Sequence, residues 1–177
     1  RDVRGTALLT HSKIEPNDDS QWIFLPAVKR VKRISSSNRT GKFVSSEFSY
    51  EDLGSEEVAD NDHIWLGNAA CKHDAELTCA AVESRPKNKR SGYSKRLSFI
   101  DIDEYRVHKI DFYNRRGDLE KTLFFRDYKQ YEGQFWRAHL MTMKNLQTGK
   151  STRLSWKNYK FRDGLTERDF TPQSLPK

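Results

Sequence analysis

The chain of 177 residues carries 32 Lys and Arg against 25 Asp and Glu, a net charge of +7. Its length suits one domain able to bury most of its apolar surface, and 10 Phe, 4 Trp and 7 Tyr exclude disorder throughout. No apolar run approaches the roughly 18 residues of a membrane span, and composition excludes collagen, a coiled coil or a disulfide-dense mini-protein.

The sequence opens on Arg1 with no signal-peptide core behind it, so a processed or trimmed chain is expected. An apolar segment over residues 6–10 is separated from Trp22-Ile23-Phe24-Leu25 by the turn signal Pro16-Asn17-Asp18-Asp19. The densest basic cluster follows: Lys29, Arg30, Lys32 and Arg33, within Val28-Lys29-Arg30-Val31-Lys32-Arg33-Ile34. The apolar residues there are three apart, as on a helix. Pro26 before them, three serines after them and the β-branched content favour a strand with an irregular phase. Such a run serves as a solvated sheet face or as an anion site. Between residues 45 and 53, Ser49 with Asp52 three positions on resembles a capping box with a shortened acid, so a short helical turn is expected. Residues 55–62 are acidic and read as a loop.

Cys71 and Cys79 are the only cysteines, and they enclose a polar stretch, residues 72–78, expected as a loop. Two lone cysteines this close suggest a disulfide formed in an oxidising compartment. The alternatives are reduced structural thiols, or a metal site drawing on Cys71, His73, Cys79 and His63, a spacing that matches no standard zinc pattern. Lys87, Lys89 and Arg90 form a second basic cluster in a polar loop.

Residues 93–161 read as an antiparallel meander. Its turns are Arg115-Arg116-Gly117-Asp118, Glu132-Gly133 and Gln147-Thr148-Gly149-Lys150. Leu154 and Trp156 fall on one face of the last strand, with Arg153, Ser155 and Lys157 on the other. Leu119, Leu123 and Phe125 oppose Thr122 and Arg126, and Met141 and Met143 share a face with His139. Elsewhere both faces carry apolar residues, which suits a sheet covered in part on both sides or curved around something apolar. Residues 166–175 read as a terminal helical turn broken by Pro172.

Chemistry-bearing patterns are few. None of His11, His63, His73, His108 and His139 lies in a metalloprotease motif, and no nucleophile elbow or phosphate loop occurs. Asp101, Asp103 and Glu104 lack the glycine and final glutamate of a calcium loop. They read as an acidic turn, with an enzymatic group including His108 as the other possibility. Asn38-Arg39-Thr40 fits the N-glycosylation pattern, which is short enough to arise by chance. Phe124-Phe125 could stack on RNA bases, but the surrounding residues do not match the RNA-recognition consensus, and core packing explains the pair better. A non-enzymatic binding protein with no cofactor is expected.

Several segments together resemble one family. Asp2-Val3-Arg4-Gly5-Thr6-Ala7-Leu8-Leu9 is similar to the Asp-x-x-Gly-Thr-x-x-Leu strand of the outer-membrane lipoprotein-sorting, LolA-like, proteins. The resemblance continues through Trp22 to Ile34, through Phe48-Ser49-Tyr50-Glu51-Asp52-Leu53, and through Tyr93-Ser94-Lys95. It goes on at Asp111-Phe112-Tyr113 with Gly117, at Lys121-Thr122-Leu123, at Asn145 with Thr148-Gly149, and at Phe170-Thr171-Pro172 with Leu175. Each piece is weak, and their order over nearly the whole chain makes the match specific.

The resemblance implies a mainly β fold: one LolA-like domain over residues 1–177, built on a strongly curved antiparallel sheet. This unclosed half-barrel would have an apolar concave face plugged by short helices. It implies a carrier in the Gram-negative periplasm, moving lipid or lipoprotein acyl chains between membranes, with an inner-membrane transporter as a partner. The residues expected to line the apolar face are Trp22, Phe24, Leu97, Phe99, Leu123, Phe125, Met141, Met143, Leu154 and Trp156; Met suits varied chains because it is flexible and polarizable. Lys29, Arg30, Lys32 and Arg33 are expected at anionic head groups or a partner surface. Family members carry a signal peptide, a first helix and early strands ahead of the segment matching residues 2–9. A chain starting at that segment would expose a sheet edge and pair with a second copy. The alternative function is a basic β-domain that binds nucleic acid or another polyanion; for the carrier no nucleic-acid partner is expected.

Overall fold

The computed structural model describes residues 3–13, 19–71, 74–161 and 163–176, without the side chains of residues 74 and 75. Asp2, the turn at Pro16-Asn17-Asp18, and His73 lie outside the described residues. A three-stranded sheet comes first, in the order β1 (Ala7–His11), β2 (Ser20–Leu25) and β3 (Arg30–Ile34). The rest is a seven-stranded antiparallel meander: β4 (Asn61–Cys71), β5 (Asp74–Pro86), β6 (Tyr93–Asp101), β7 (Val107–Asn114), β8 (Leu119–Tyr131), β9 (Phe135–Asn145) and β10 (Ser151–Ser155). Each strand pairs with its chain neighbour, so β4 and β10 are the two edges of an unclosed half-barrel.

The hairpin turns lie where glycine and asparagine place them. Gly117 sits at φ 88 between β7 and β8. There the Asn114 side-chain oxygen accepts from the Arg116 and Asp118 amides at 2.9 and 3.0 Å. Cys71 and Cys79 form a disulfide that ties β4 to β5. The stretch expected as a loop, residues 72–78, is strand from Asp74 onward, where β5 starts. Pairing of Ala70 with Thr78 and of Ala69 with Cys79 draws it into the ladder despite its polar side chains. The bridge closes a span of 8 residues. The Cys71→Ala/Cys79→Ala variant is therefore expected to lose about 2 to 3 kcal/mol in urea unfolding, and an unchanged midpoint would contradict this.

Strand register sorts the large sheet into two faces, since residues directly opposite share a side. On the inner face run Ser98–Ile110–Leu123–Met143–Thr152 and Phe125–Met141–Leu154. The outer face carries Leu97–Asp111–Thr122–Lys144 and Phe99–Lys109–Phe124–Thr142–Arg153. The main core lies on the inner face, where Phe48, Tyr93, Phe112, Leu123 and Met143 are buried together. Burying such apolar side chains contributes about 1.5 to 3 kcal/mol each. Helical structure among the described residues is confined to single 3₁₀ turns.

Candidate functional site

One end of the inner face is closed by residues 41–54. Phe48 and Leu53 supply the apolar contact, and buried polar groups lock it. The expected reciprocal cap forms: the Ser49 amide donates to Asp52 at 2.6 Å and the Asp52 amide to the Ser49 hydroxyl at 3.2 Å. Asp52 also accepts from the Tyr93 hydroxyl and from Lys121 Nζ, each at 2.6 Å. Asn145 donates to Glu47 at 2.9 Å, and the Glu47 amide donates to the Thr152 hydroxyl at 2.9 Å. Burial pushes the Glu47 carboxyl up, but the bonds from Lys42 and Asn145 outweigh it and hold the group below the usual carboxylate range. Burial, reinforced by Asp52, raises the Tyr93 phenol well above its usual range. The expected helical plug is thus two 3₁₀ turns, Phe43–Ser45 and Glu51–Leu53. Serine hydroxyls at 46 and 49 bond locally to backbone here and compete with a longer helix.

The opposite end is crossed by residues 156–161. The Trp156 amide donates to the His139 carbonyl at 3.0 Å, extending the β9–β10 pairing. Tyr159 and Phe161 pack on Tyr131, with ring centroids 5.6 and 5.3 Å away. Phe161 also stacks on Phe135 at 5.0 Å. Tyr131 and His139 are joined at 2.7 Å between the hydroxyl and Nε2. Between these two closures, Ile110, Phe125, Met141, Leu154 and Trp156 are only half-buried. At the Trp156 end lies an open groove of about 1060 Å³, lined by Trp156 together with Asp127, Lys129, Tyr131, His139 and Arg153. At the far rim, pairing of Trp65 with Val82 and of Val82 with Ser98 places Trp65 on the same face, 67% exposed. Trp65 escaped the sequence reading because β4 shows no clean alternation, and its pairing with β5 shifts register between Trp65 and Asn68.

The ten residues expected on one apolar face divide into three groups. Leu123, Phe125, Met141, Met143 and Leu154 lie together on the inner face, with Trp156 continuing the line; Leu123 and Met143 are core beneath the plug. Leu97 and Phe99 are corrected to the outer face, where they join Cys71, Cys79, Leu77 and Ala81 in a second small core. Trp22 and Phe24 are corrected to the small sheet. There they share a face with Leu9 and Ala7, and Trp22 packs against the His11 ring at 4.9 Å. The inner side of that sheet, through Ile23 and Leu25, faces residues 41–54 across a groove of about 640 Å³. The basic run does fold as a strand, β3, but its charges do not converge. Arg30 and Lys32 pair with Leu25 and Ile23 on one face, Arg33 pairs with Trp22 on the other, and Lys29 sits in the preceding turn.

The acidic group is a structural turn. Asp101 is fully buried and accepts from the Glu104 amide at 2.7 Å, Arg106 Nε at 2.8 Å and His108 Nε2 at 3.0 Å. Burial pushes its carboxyl up, but these donors outweigh that and hold it at about 2, below the ordinary 3.8. The stabilisation from a depressed carboxylate is complete above the unfolded value and is lost as pH falls through the folded one. Stability is therefore expected to drop by about 2 kcal/mol between about pH 4 and pH 2. Asp101→Asn should flatten that part of the urea-midpoint profile, and an unaltered profile would refute the assignment. No metal cluster forms among the described residues: Glu104 accepts from the Trp136 indole, and His63 bonds the Ser84 hydroxyl and the Val58 carbonyl.

A family model described as "-like: Uncharacterized protein" matches residues 1–177. A crystal structure from Vibrio parahaemolyticus, provisionally assigned as an outer membrane lipoprotein-sorting protein domain, is 46% identical with a TM-score of 0.92. That alignment covers 100% of this chain and 74% of the other. A DUF1329 family protein from Desulfovibrio piger is 28% identical with a TM-score of 0.89, covering 98% and 72%. A LolA superfamily protein from Nitrosomonas europaea is 19% identical with a TM-score of 0.63, covering 94% and 87%, and shares the fold. No curated protein matches.

Proposed function

This chain belongs to the outer-membrane lipoprotein-sorting protein family, and on that premise we propose that it is a non-enzymatic carrier of lipid or lipoprotein acyl chains in the periplasm. The observation that carries the reading is the strip of Ile110, Phe125, Met141, Leu154 and Trp156, only partly covered between two built closures of the inner face. An acyl chain gains about 0.8 kcal/mol for each CH₂ withdrawn from water, and such a strip offers that shelter without a reaction centre. Leu123 and Met143 form the floor beneath the plug, while Met141 adapts to chains of different shape. The Cys71–Cys79 disulfide suits an oxidising compartment. An inner-membrane transporter is the matching source of cargo.

Organic extraction of the purified protein followed by mass spectrometry tests the reading, together with uptake of a fluorescent fatty acid. Co-purified lipid and saturable uptake are expected. Absence of both would overturn the carrier.

A further inference from the structure

We propose that the outer face of β8–β10, at Arg126, Lys144 and Arg153, docks on an anionic phospholipid bilayer, with the β10 edge toward the membrane. Several other outer-face cations are already engaged. Lys95 pairs with Glu83 at 2.7 Å, Lys109 with Asp111 at 2.6 Å and Arg106 with Asp101 at 2.8 Å. Arg126, Lys144 and Arg153 are exposed and form no ion pair among the described residues.

Register brings the three together. Arg153 lies opposite Thr142, Thr142 lies opposite Phe124, and Lys144 and Arg126 flank that row. Arg126 and Lys144 both reach over the Phe124 ring, at 5.8 and 5.5 Å from its centroid. One aromatic ring thus holds two long side chains in place, so less freedom is lost when they meet anions. Glu120, further along the outer face of β8, pairs with none of them.

Charges on an edge strand commonly serve to block strand-to-strand aggregation. That accounts for Arg153 on β10 but not for Arg126 and Lys144, which sit on β8 and β9, inside the sheet. A row of exposed cations along the outer face suits the anionic head-group plane, where each Lys or Arg near the surface adds to binding. The strand geometry supplies the purpose. Leu154 and Trp156 alternate with Arg153 along the same edge, so a bilayer held there lies one residue step from the mouth of the apolar strip. This deepens the carrier reading by naming the surface the carrier visits.

Co-sedimentation with vesicles of phosphatidylglycerol and phosphatidylcholine, against phosphatidylcholine alone, tests it at low salt. Binding to the anionic vesicles only is expected, weakening as salt rises. Arg126→Ala/Lys144→Ala/Arg153→Ala should partition about 100-fold more weakly, with an unchanged circular-dichroism spectrum, since all three are exposed. The comparison variant, Lys29→Ala/Arg30→Ala/Lys32→Ala/Arg33→Ala, removes more charge, from β3 and the turn before it, and should lose far less. Equal loss in both variants, or vesicle binding that ignores the triple substitution, would overturn the proposal. So would tighter binding to a single-stranded oligonucleotide than to the vesicles. Uptake of the fluorescent fatty acid by the triple variant separates the two readings. Uptake kept with docking lost supports both; docking without any uptake supports the membrane surface and sinks the carrier.

Discussion

Replacing Asp52 by Ala should destabilise the protein by about 3 to 5 kcal/mol, because it strands a buried ammonium. Lys121 is buried, its Nζ 2.6 Å from Asp52 and 3.3 Å from the Glu47 carbonyl. The Tyr93 and Phe112 rings lie 5.2 and 5.5 Å from that nitrogen, so no water replaces the lost carboxylate at low cost. The same carboxylate holds the Ser49 amide and the Tyr93 hydroxyl, so its removal also frees residues 41–54 from the inner face. Lys121→Met alone should cost a comparable amount by leaving Asp52 uncompensated. The double variant Asp52→Ala/Lys121→Met should recover much of the loss, since it leaves no charge behind. Urea unfolding of the four proteins gives the coupling. A loss below about 1 kcal/mol in Asp52→Ala would mean that this pair does not hold the plug.

The second large effect falls on cargo. Met141→Asp or Trp156→Arg should weaken fatty-acid uptake about 100-fold, with only about 1 kcal/mol lost in stability because both positions are half-buried. A charge on that strip forfeits the contact of several methylenes, each about 0.8 kcal/mol. Phe99→Ala gives the reciprocal result. Phe99 is buried in the outer-face core with the disulfide, so its truncation should cost about 3 to 5 kcal/mol of stability while leaving affinity unchanged. Uptake that survives Met141→Asp and Trp156→Arg in folded protein would place the cargo elsewhere, with the 640 Å³ groove beside Ile23 and Tyr50 the next surface to probe.

Local chemistry alone foretold the parts of this molecule that depend on near neighbours. Gly117 between polar residues, Glu132-Gly133 and Thr148-Gly149 each mark a real reversal, because positive φ at glycine is set within a few residues. Ser49 and Asp52 cap each other across three positions, and Cys71 pairs with Cys79 across eight. The side-to-side alternation of Leu123 with Thr122, or of Leu154 with Arg153, was equally plain, since a strand repeats every two residues. Which of the two sides becomes the inner one was not. Leu97 and Phe99 look as apolar as Leu123 and Phe125, and only the register of β6 on β7 and β7 on β8 puts them on opposite faces. Lys121 reads as one more surface cation of a basic chain, yet it is buried against a carboxylate 69 positions away. The same reason underlies the scatter of the β3 charges and the gathering of Arg126, Lys144 and Arg153. Proximity across strands is decided by pairing, and pairing is a property of the assembled sheet rather than of any segment within it.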